Sequence, residues 1–493
     1  MNVYSLFTDR TRDAGDCLLS PDLQTICTYR EMHDYAARLA CGLQKLGVNP
    51  GDRVIAQVGK SPEALYLYFA CLRLGAVYLP LNTAYQNDEL AYFVDDASPV
   101  LIACDPGKQS VFESFKGDHR VLTLDAEGRG SLMDQCLDSE AAGICNRDDD
   151  DTAVILYTSG TTGKPKGAMI SHGNLVSNGL TLYEAWQWRR GDVMLHALPI
   201  FHIHGLFVAT HLPVLNGSPI ILLPAFDPGE VARLLPSATV YMGVPTNYTR
   251  LLDSELLNRE VCRNMRLFTS GSAPLLQQTF SDFHDTTGFE IVERYGMTET
   301  GMNTSNPLDG MRKPGTVGPP LPGVSARIVR EDGTPVEPGE PGNLEVRGRN
   351  VFKGYWQMPG KTREEFTGDG YFRTGDIASQ DKDGYISIVG RNKDMIITGG
   401  LNVYPKEIEA VIDRIPGVLE SAVIGLPHSD FGEGVCAIVV AEDDHILDEQ
   451  EIIEDLKPRL ANFKVPKWVK VVPALPRNTM GKVQKNVLRE MFS

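Results

Sequence analysis

Residues 157–167 read YTSGTTGKPKG, with three glycines, four serine or threonine hydroxyls and two lysines in eleven positions. A hydrophobic core has no use for that mixture. Glycines let the backbone turn sharply and present N–H groups to an anion. The hydroxyls of Thr158, Ser159, Thr161 and Thr162 add donors, and Lys164 and Lys166 add charge. The stretch follows an apolar run, AVILYT, that reads as a buried strand. Strand, glycine loop and lysines together suit a polyphosphate. The order Gly160-Thr161-Thr162-Gly163-Lys164-Pro165 is not the GxxxxGK[ST] order of a Walker A loop. On composition alone a surface turn competes evenly with a phosphate cradle.

The elements that must position this loop are legible in the periodicity. Thr28-Tyr29-Arg30-Glu31 fits a capping box, followed by apolar positions at helical spacing up to Gly47. RVIAQV reads as a strand, Ser61-Pro62 opens a second helix to about Leu74, and AVYLPL reads as another buried strand. Strand and helix alternate to about Phe283, which predicts stacked α/β layers. From 314 to 390 glycine and proline recur between short strands, predicting a β-rich, barrel-like subdomain. Beyond it the pattern is again mixed. The expected organisation is a large α/β N-terminal domain over 1–392 and a small, mobile α+β domain over 393–493.

The 493 residues carry 47 basic and 64 acidic side chains, a net charge of −17. That balance argues against nucleic acid or an anionic membrane as a general partner. Any anionic substrate must then be met by locally placed lysines and arginines. The nine cysteines form no CxxC pair and read as core thiols of a reducing compartment. No leader segment and no membrane span is apparent, so a cytoplasmic location is expected. His202 and His204 form an HxH pair, but no third ligand lies nearby in sequence, so a zinc site is set aside.

YTSGTTGKPKG resembles the phosphate-binding signature of the acyl-adenylate-forming superfamily, which includes acyl-CoA synthetases, luciferases and peptide-synthetase adenylation domains. ERYGMTET, YFRTGD, GRNKDMIITGGLNVYPKEIE and PRNTMGKVQK resemble its other signatures, in the same order and across almost the whole chain. The resemblance implies ATP and Mg2+ as cofactors and coenzyme A as thiol acceptor. A carboxylate would attack the α-phosphate of ATP, and the thiol would then displace AMP.

Carried over residue by residue, Thr158, Ser159, Gly160, Thr161, Thr162, Gly163 and Lys164 would hold the β and γ phosphates. Glu299 would bind the metal, and Thr298 would touch the α-phosphate. Tyr295 would stack on adenine, with Gly271, Ser272 and Ala273 opposite and Glu293, Gly296 and Met297 beside it. Asp376 and Arg391 would hold the ribose. Lys482 would be the adenylation lysine, Lys393 the hinge, and Gly399, Gly400 and Leu401 the tunnel for the CoA arm. His202 would lie near the acyl pocket; a packed histidine is an equal reading.

The position before Tyr295 is Arg294. A fatty-acid pocket gains nothing from a cation, because a buried unpaired charge is costly. An acid with a second carboxylate would satisfy it, with Ser272 and Arg250 assisting; pairing of Arg294 with Glu293 is the competing reading. VYLPLNTAY, GVPTNYTRLL, RLFTSGSAPLL and ERYGMTETGMNTSNP resemble the malonyl-CoA synthetases within the superfamily. The expected substrate is therefore malonate, with methylmalonate as a second acid. A medium-chain or aryl acyl-CoA ligase, or a stand-alone adenylation module that loads a carrier protein, are the alternatives.

Overall fold

Helix and strand boundaries follow local chemistry. Thr28 caps the Tyr29–Lys45 helix: its side chain accepts from the Glu31 N–H and Glu31 reaches back, a complete capping box. Ser61 caps Pro62–Leu74, where proline takes the first turn and Gly75, at φ 77°, ends the helix in the left-handed region. The computed structural model describes residues 1–158, 165–391, 394–398, 401–428, 432–443, 445–460, 462–478 and 481–493, with backbone only at 401, 402 and 432. The expected phosphate contacts Ser159 to Lys164, the hinge Lys393 and the tunnel glycines Gly399 and Gly400 lie outside the described residues.

The described residues form two compact units, 1–325 with 347–370, and 326–346 with 371–493. The first is built on two sheets. One has six strands in the order Arg120–Thr123, Leu101–Cys104, Arg53–Gln57, Val77–Pro80, Thr152–Thr158, Lys166–Ser171. Its strands run parallel except for the last pair, which forms an antiparallel hairpin across the glycine-rich loop. The other sheet has eight strands. Its parallel centre includes Ile220–Leu222, Met194–His196, Val240–Gly243, Leu267–Ser270 and Val292–Met297, with an antiparallel edge at Gly301–Ser305. The predicted α/β layering is thus present.

In the second unit, the glycine- and proline-punctuated region gives a four-stranded sheet whose strands include Phe372–Gln380 and Ile386–Arg391. A five-stranded sheet follows, packed by Pro405–Ile412, Glu449–Leu456 and Lys485–Phe492.

Buried imidazoles of the first unit carry a pH consequence. His172 and His211 are 0% and 2% exposed. Burial, with the Arg147 charge in the first case, lowers their pKa to about 4 and about 3. Both folded values lie below the unfolded value near 6.5. At pH 7 both states are neutral and nothing is lost. As pH falls below about 6.5 the unfolded chain takes up protons that the folded chain refuses, so stability falls by up to about 1.4 kcal/mol per pH unit for each group. Urea unfolding midpoints should therefore drop between pH 7 and pH 5, less steeply in His211→Gln. A midpoint flat across that window would contradict this account.

Candidate active site

The first unit gathers polar groups at the carboxyl ends of its parallel strands, where open α/β sheets bind ligands. Register fixes which side chains share a face. Thr269 lies beside Val292 and beside Met242, and Tyr241 lies beside Leu195. Since side chains alternate along a strand, His196, Met242, Thr269 and Arg294 point to one face. Leu195, Tyr241, Phe268 and Ile291 point to the other and form its hydrophobic core.

Arg294 is 2% exposed, and its Nε and Nη2 have no hydrogen-bond partner among the described residues. Burial pulls its pKa down to about 9, so the guanidinium is still charged at neutral pH. Glu293 does not satisfy it. That residue occupies the opposite strand face, and its carboxylate accepts from the Leu275 N–H at 3.4 Å. Gly271 passes so close to Arg294 that a Cβ there would lie 2.5 Å from the guanidinium carbon, so a larger residue would push the guanidinium aside. The next residue, Ser272, has φ 72°, a left-handed conformation unusual for a residue with a Cβ. Such strain, on the order of 1–3 kcal/mol, tends to persist at ligand-binding turns. Ala273 follows on the same turn.

Above this face sits a short π-helical turn, His204–Val208. Turns of this kind concentrate at functional sites. The His196 imidazole meets the Gly205 carbonyl through Nε2 at 3.0 Å and Lys60 Nζ through Nδ1 at 2.9 Å. Lys60 also donates to the His196 carbonyl at 2.8 Å. With Nε2–H committed to a carbonyl, Nδ1 is the acceptor and Lys60 the donor. Burial lowers the pKa of both groups far below their ordinary values. Gly205 could not be replaced, because a Cβ would fall 2.0 Å from the Pro199 carbonyl oxygen. His204 is buried with both ring nitrogens unpartnered among the described residues, and burial plus the Arg294 charge keep it neutral. The His204 N–H donates to His202 Nδ1 at 3.4 Å, which orients that half-buried ring. Arg250 is exposed on Pro245–Asp253, away from the helix face that buries Asn247, Tyr248 and Leu251.

The Val292–Met297 strand continues into Tyr295, half-buried with its hydroxyl toward Met297 Sδ at 3.9 Å. Gly296 is required by packing, since a Cβ would meet the Gly301 carbonyl at 2.2 Å. Thr298 is half-buried, and Glu299 is 6% exposed with Oε1 accepting from Tyr355 Oη at 3.0 Å. No group of three or more His, Cys, Asp or Glu side chains converges among the described residues. A single, nearly buried carboxylate suits a hard cation that takes its other ligands from phosphates and water.

In the second unit Asp376 and Arg391 stand directly opposite each other on paired strands. Arg391 Nε donates to Asp376 Oδ1 at 2.8 Å, and Asp376 is 3% exposed. Asp376 is a residue of the Phe372–Gln380 strand. Lys482 is exposed on a tight turn: its N–H donates to Asn478 Oδ1 at 3.0 Å, and the Asn478 N–H returns to the Lys482 carbonyl at 2.9 Å. Gly481 at φ 73° makes that turn possible. Leu401 begins a short strand, with its backbone paired to Thr398.

Sequence reasoning missed Lys60, His196 and Tyr355. Their partners are 136 and 56 residues away, beyond any local pattern.

The β-hairpin that flanks the glycine-rich sequence, the nearly buried Glu299 and the paired Asp376 and Arg391 accompany the sequence signatures of an acid-activating enzyme. The chain belongs to the AMP-binding enzyme family, whose model matches residues 11–356, with the AMP-binding enzyme C-terminal domain matching 407–482. It is an acid–thiol ligase. Among its relatives, a feruloyl-CoA synthase of Amycolatopsis is 37% identical over 473 residues, covering 95% of this chain and 94% of that protein. A malonate–CoA ligase of Arabidopsis thaliana is 36% identical over 459 residues, covering 84% and 74%. The crystal structure of ATP-bound MatB from Rhodopseudomonas palustris matches with a TM-score of 0.97 and 52% identity, over 100% of this chain and 99% of that one.

Proposed function

We propose that the chain ligates malonate to coenzyme A through malonyl-AMP, releasing AMP and pyrophosphate, with methylmalonate as a second acid. The observation that carries this reading is Arg294, a buried cation whose Nε and Nη2 have no hydrogen-bond partner among the described residues. A second carboxylate on the acid supplies that charge. The malonate–CoA ligase relative supports the same choice. One extra methyl is hard to exclude sterically, which brings in methylmalonate.

In this reading Thr158 to Lys164 cradle the β and γ phosphates, and Thr298 meets the α-phosphate. Glu299 provides an oxygen ligand for Mg2+; bound there, Mg2+ neutralises charge on the phosphate oxygens. Tyr295, Gly271, Ser272 and Ala273 flank adenine, and Asp376 and Arg391 hold the ribose. Lys482 brings a positive charge to the carboxylate and the α-phosphate. Lys393 is the pivot between a part spanning 1–392 and a part spanning 393–493, and Gly399, Gly400 and Leu401 line the path of the CoA thiol. His202 borders the acid. The setting is cytoplasmic; among the described residues no helix is long and apolar enough to cross a membrane.

The feruloyl-CoA synthase relative favours a second reading, an aryl acid ligase. Ferulate would leave the Arg294 guanidinium without an anion. CoA-dependent AMP release should be compared across malonate, methylmalonate, succinate, butyrate and ferulate. Malonate is expected to give the highest kcat/KM. A preference for ferulate or butyrate would refute the dicarboxylate reading.

A further inference from the structure

We infer that Tyr355 is a positioning residue for the Glu299 carboxylate and that it joins this carboxylate to the strand leaving the glycine-rich loop. The inference rests on the reading that Glu299 meets the metal of the bound nucleotide. Tyr355 is 3% exposed and donates its hydroxyl to Glu299 Oε1 at 3.0 Å. Three residues earlier, the Phe352 N–H donates to the Glu299 carbonyl at 2.7 Å. One short segment therefore grips Glu299 by backbone and by side chain.

The same segment is zipped to the Lys166–Ser171 strand. Met169 N–H donates to the Gly354 carbonyl at 3.0 Å, Lys353 N–H to Met169 at 3.1 Å, and Trp356 N–H to Gly167 at 2.7 Å. Ala168 and Tyr355 form an isolated bridge. Lys166 places its ammonium 4.2 Å from the centroid of the Tyr355 ring and is held there by Glu365 at 3.6 Å. A cation on the ring face draws electron density from the phenol and makes its hydroxyl a stronger donor. Thr362 accepts from the Tyr355 N–H at 2.9 Å, and Phe352 packs edge-on at 4.9 Å between centroids, so the ring has little freedom. Residues that orient a metal ligand from behind commonly tune metal affinity by about 10- to 100-fold.

The test compares the full-length enzyme with Tyr355→Phe and Glu299→Gln. Binding of Mn2+·ATP is followed by electron paramagnetic resonance, binding of metal-free ATP by calorimetry, and Tm is recorded beside both. Tyr355→Phe keeps the ring and should weaken Mn2+·ATP by about tenfold while metal-free ATP binds as in wild type. Glu299→Gln should weaken Mn2+·ATP at least as much. Wild-type Mn2+·ATP affinity in Glu299→Gln would remove Glu299 from the metal and the premise with it. A loss in Glu299→Gln alone, with Tyr355→Phe unchanged, would overturn the role of Tyr355 and leave the metal assignment standing. Equal loss of Mn2+·ATP and metal-free ATP in Tyr355→Phe would reduce Tyr355 to a structural residue and also overturn it. Should Tyr355→Phe fail to fold, Lys166→Met decides: a severalfold selective loss of Mn2+·ATP, restored by Lys166→Arg, supports the linkage, and no selective loss ends it.

Discussion

Replacing Arg294 by methionine should lower kcat/KM for malonate by roughly two to four orders of magnitude and leave ATP binding intact. The size follows from the site. Truncating one partner of a buried, hydrogen-bonded ion pair costs on the order of 3–5 kcal/mol. Arg294 is 2% exposed, with Nε and Nη2 unpartnered among the described residues, so the distal carboxylate is the proposed partner. Methionine keeps much of the length and none of the charge. Butyrate should gain relative to malonate, because no buried cation is left without an anion. A structural arginine would behave differently: its loss would lower Tm and slow all acids alike. Removing an uncompensated buried charge should instead leave Tm unchanged or higher. The decisive quantity is the malonate-to-butyrate ratio of kcat/KM in wild type and variant. An unchanged ratio would exclude Arg294 as the specificity residue.

Lys482→Ala should abolish malonyl-AMP formation, by about two to three orders of magnitude or more, and spare the second half-reaction. Supplied malonyl-AMP with CoA should still yield thioester at close to the wild-type rate. The motivation is local. Lys482 is exposed, and both its N–H and its carbonyl are hydrogen-bonded to Asn478. A compact charge on a flexible stem can approach the attacking carboxylate and the α-phosphate together. Alanine removes the charge and keeps the two main-chain hydrogen bonds that residue 482 makes with Asn478. Single-turnover assays of each half-reaction separate the outcomes. Equal loss of both would defeat the assignment.

How much of this was legible in the sequence depends on how local the determining contact is. The helices from Tyr29 and Pro62 were readable because their caps lie within three or four residues of the apolar stripe they serve. The reading of the glycine-rich loop as an anion site rests on residue types that a core does not use, and its residues 159–164 lie outside the described residues. Asp376 and Arg391 were legible one by one as motif residues, but their ion pair is a product of strand register that no spacing rule supplies. Pairing of Arg294 with Glu293 was a possible reading of the sequence until strand register placed the two on opposite faces. Lys60 and His196 were invisible, because a lysine after a glycine and a histidine at the end of an apolar strand each have an ordinary explanation. Their meeting requires two sheets to be built first. Tyr355 was hidden for the same reason. A tyrosine beside a tryptophan reads as core, and only the pairing of its segment to the strand after the loop brings it to Glu299.

The alternation along Val292–Met297 bears on how such a pocket can evolve. Glu293 and Arg294 are neighbours in the chain but serve opposite sides of the sheet. A one-residue slip in one direction would bring Glu293 to the place of the guanidinium, setting a carboxylate where the proposed substrate anion would lie; a slip in the other direction would bring Tyr295 there. Either shift would also move Tyr295 from its place in the strand. In the proposed reading, a substitution at position 294 changes the acid while the length of the strand, and with it the placing of Tyr295, stays fixed.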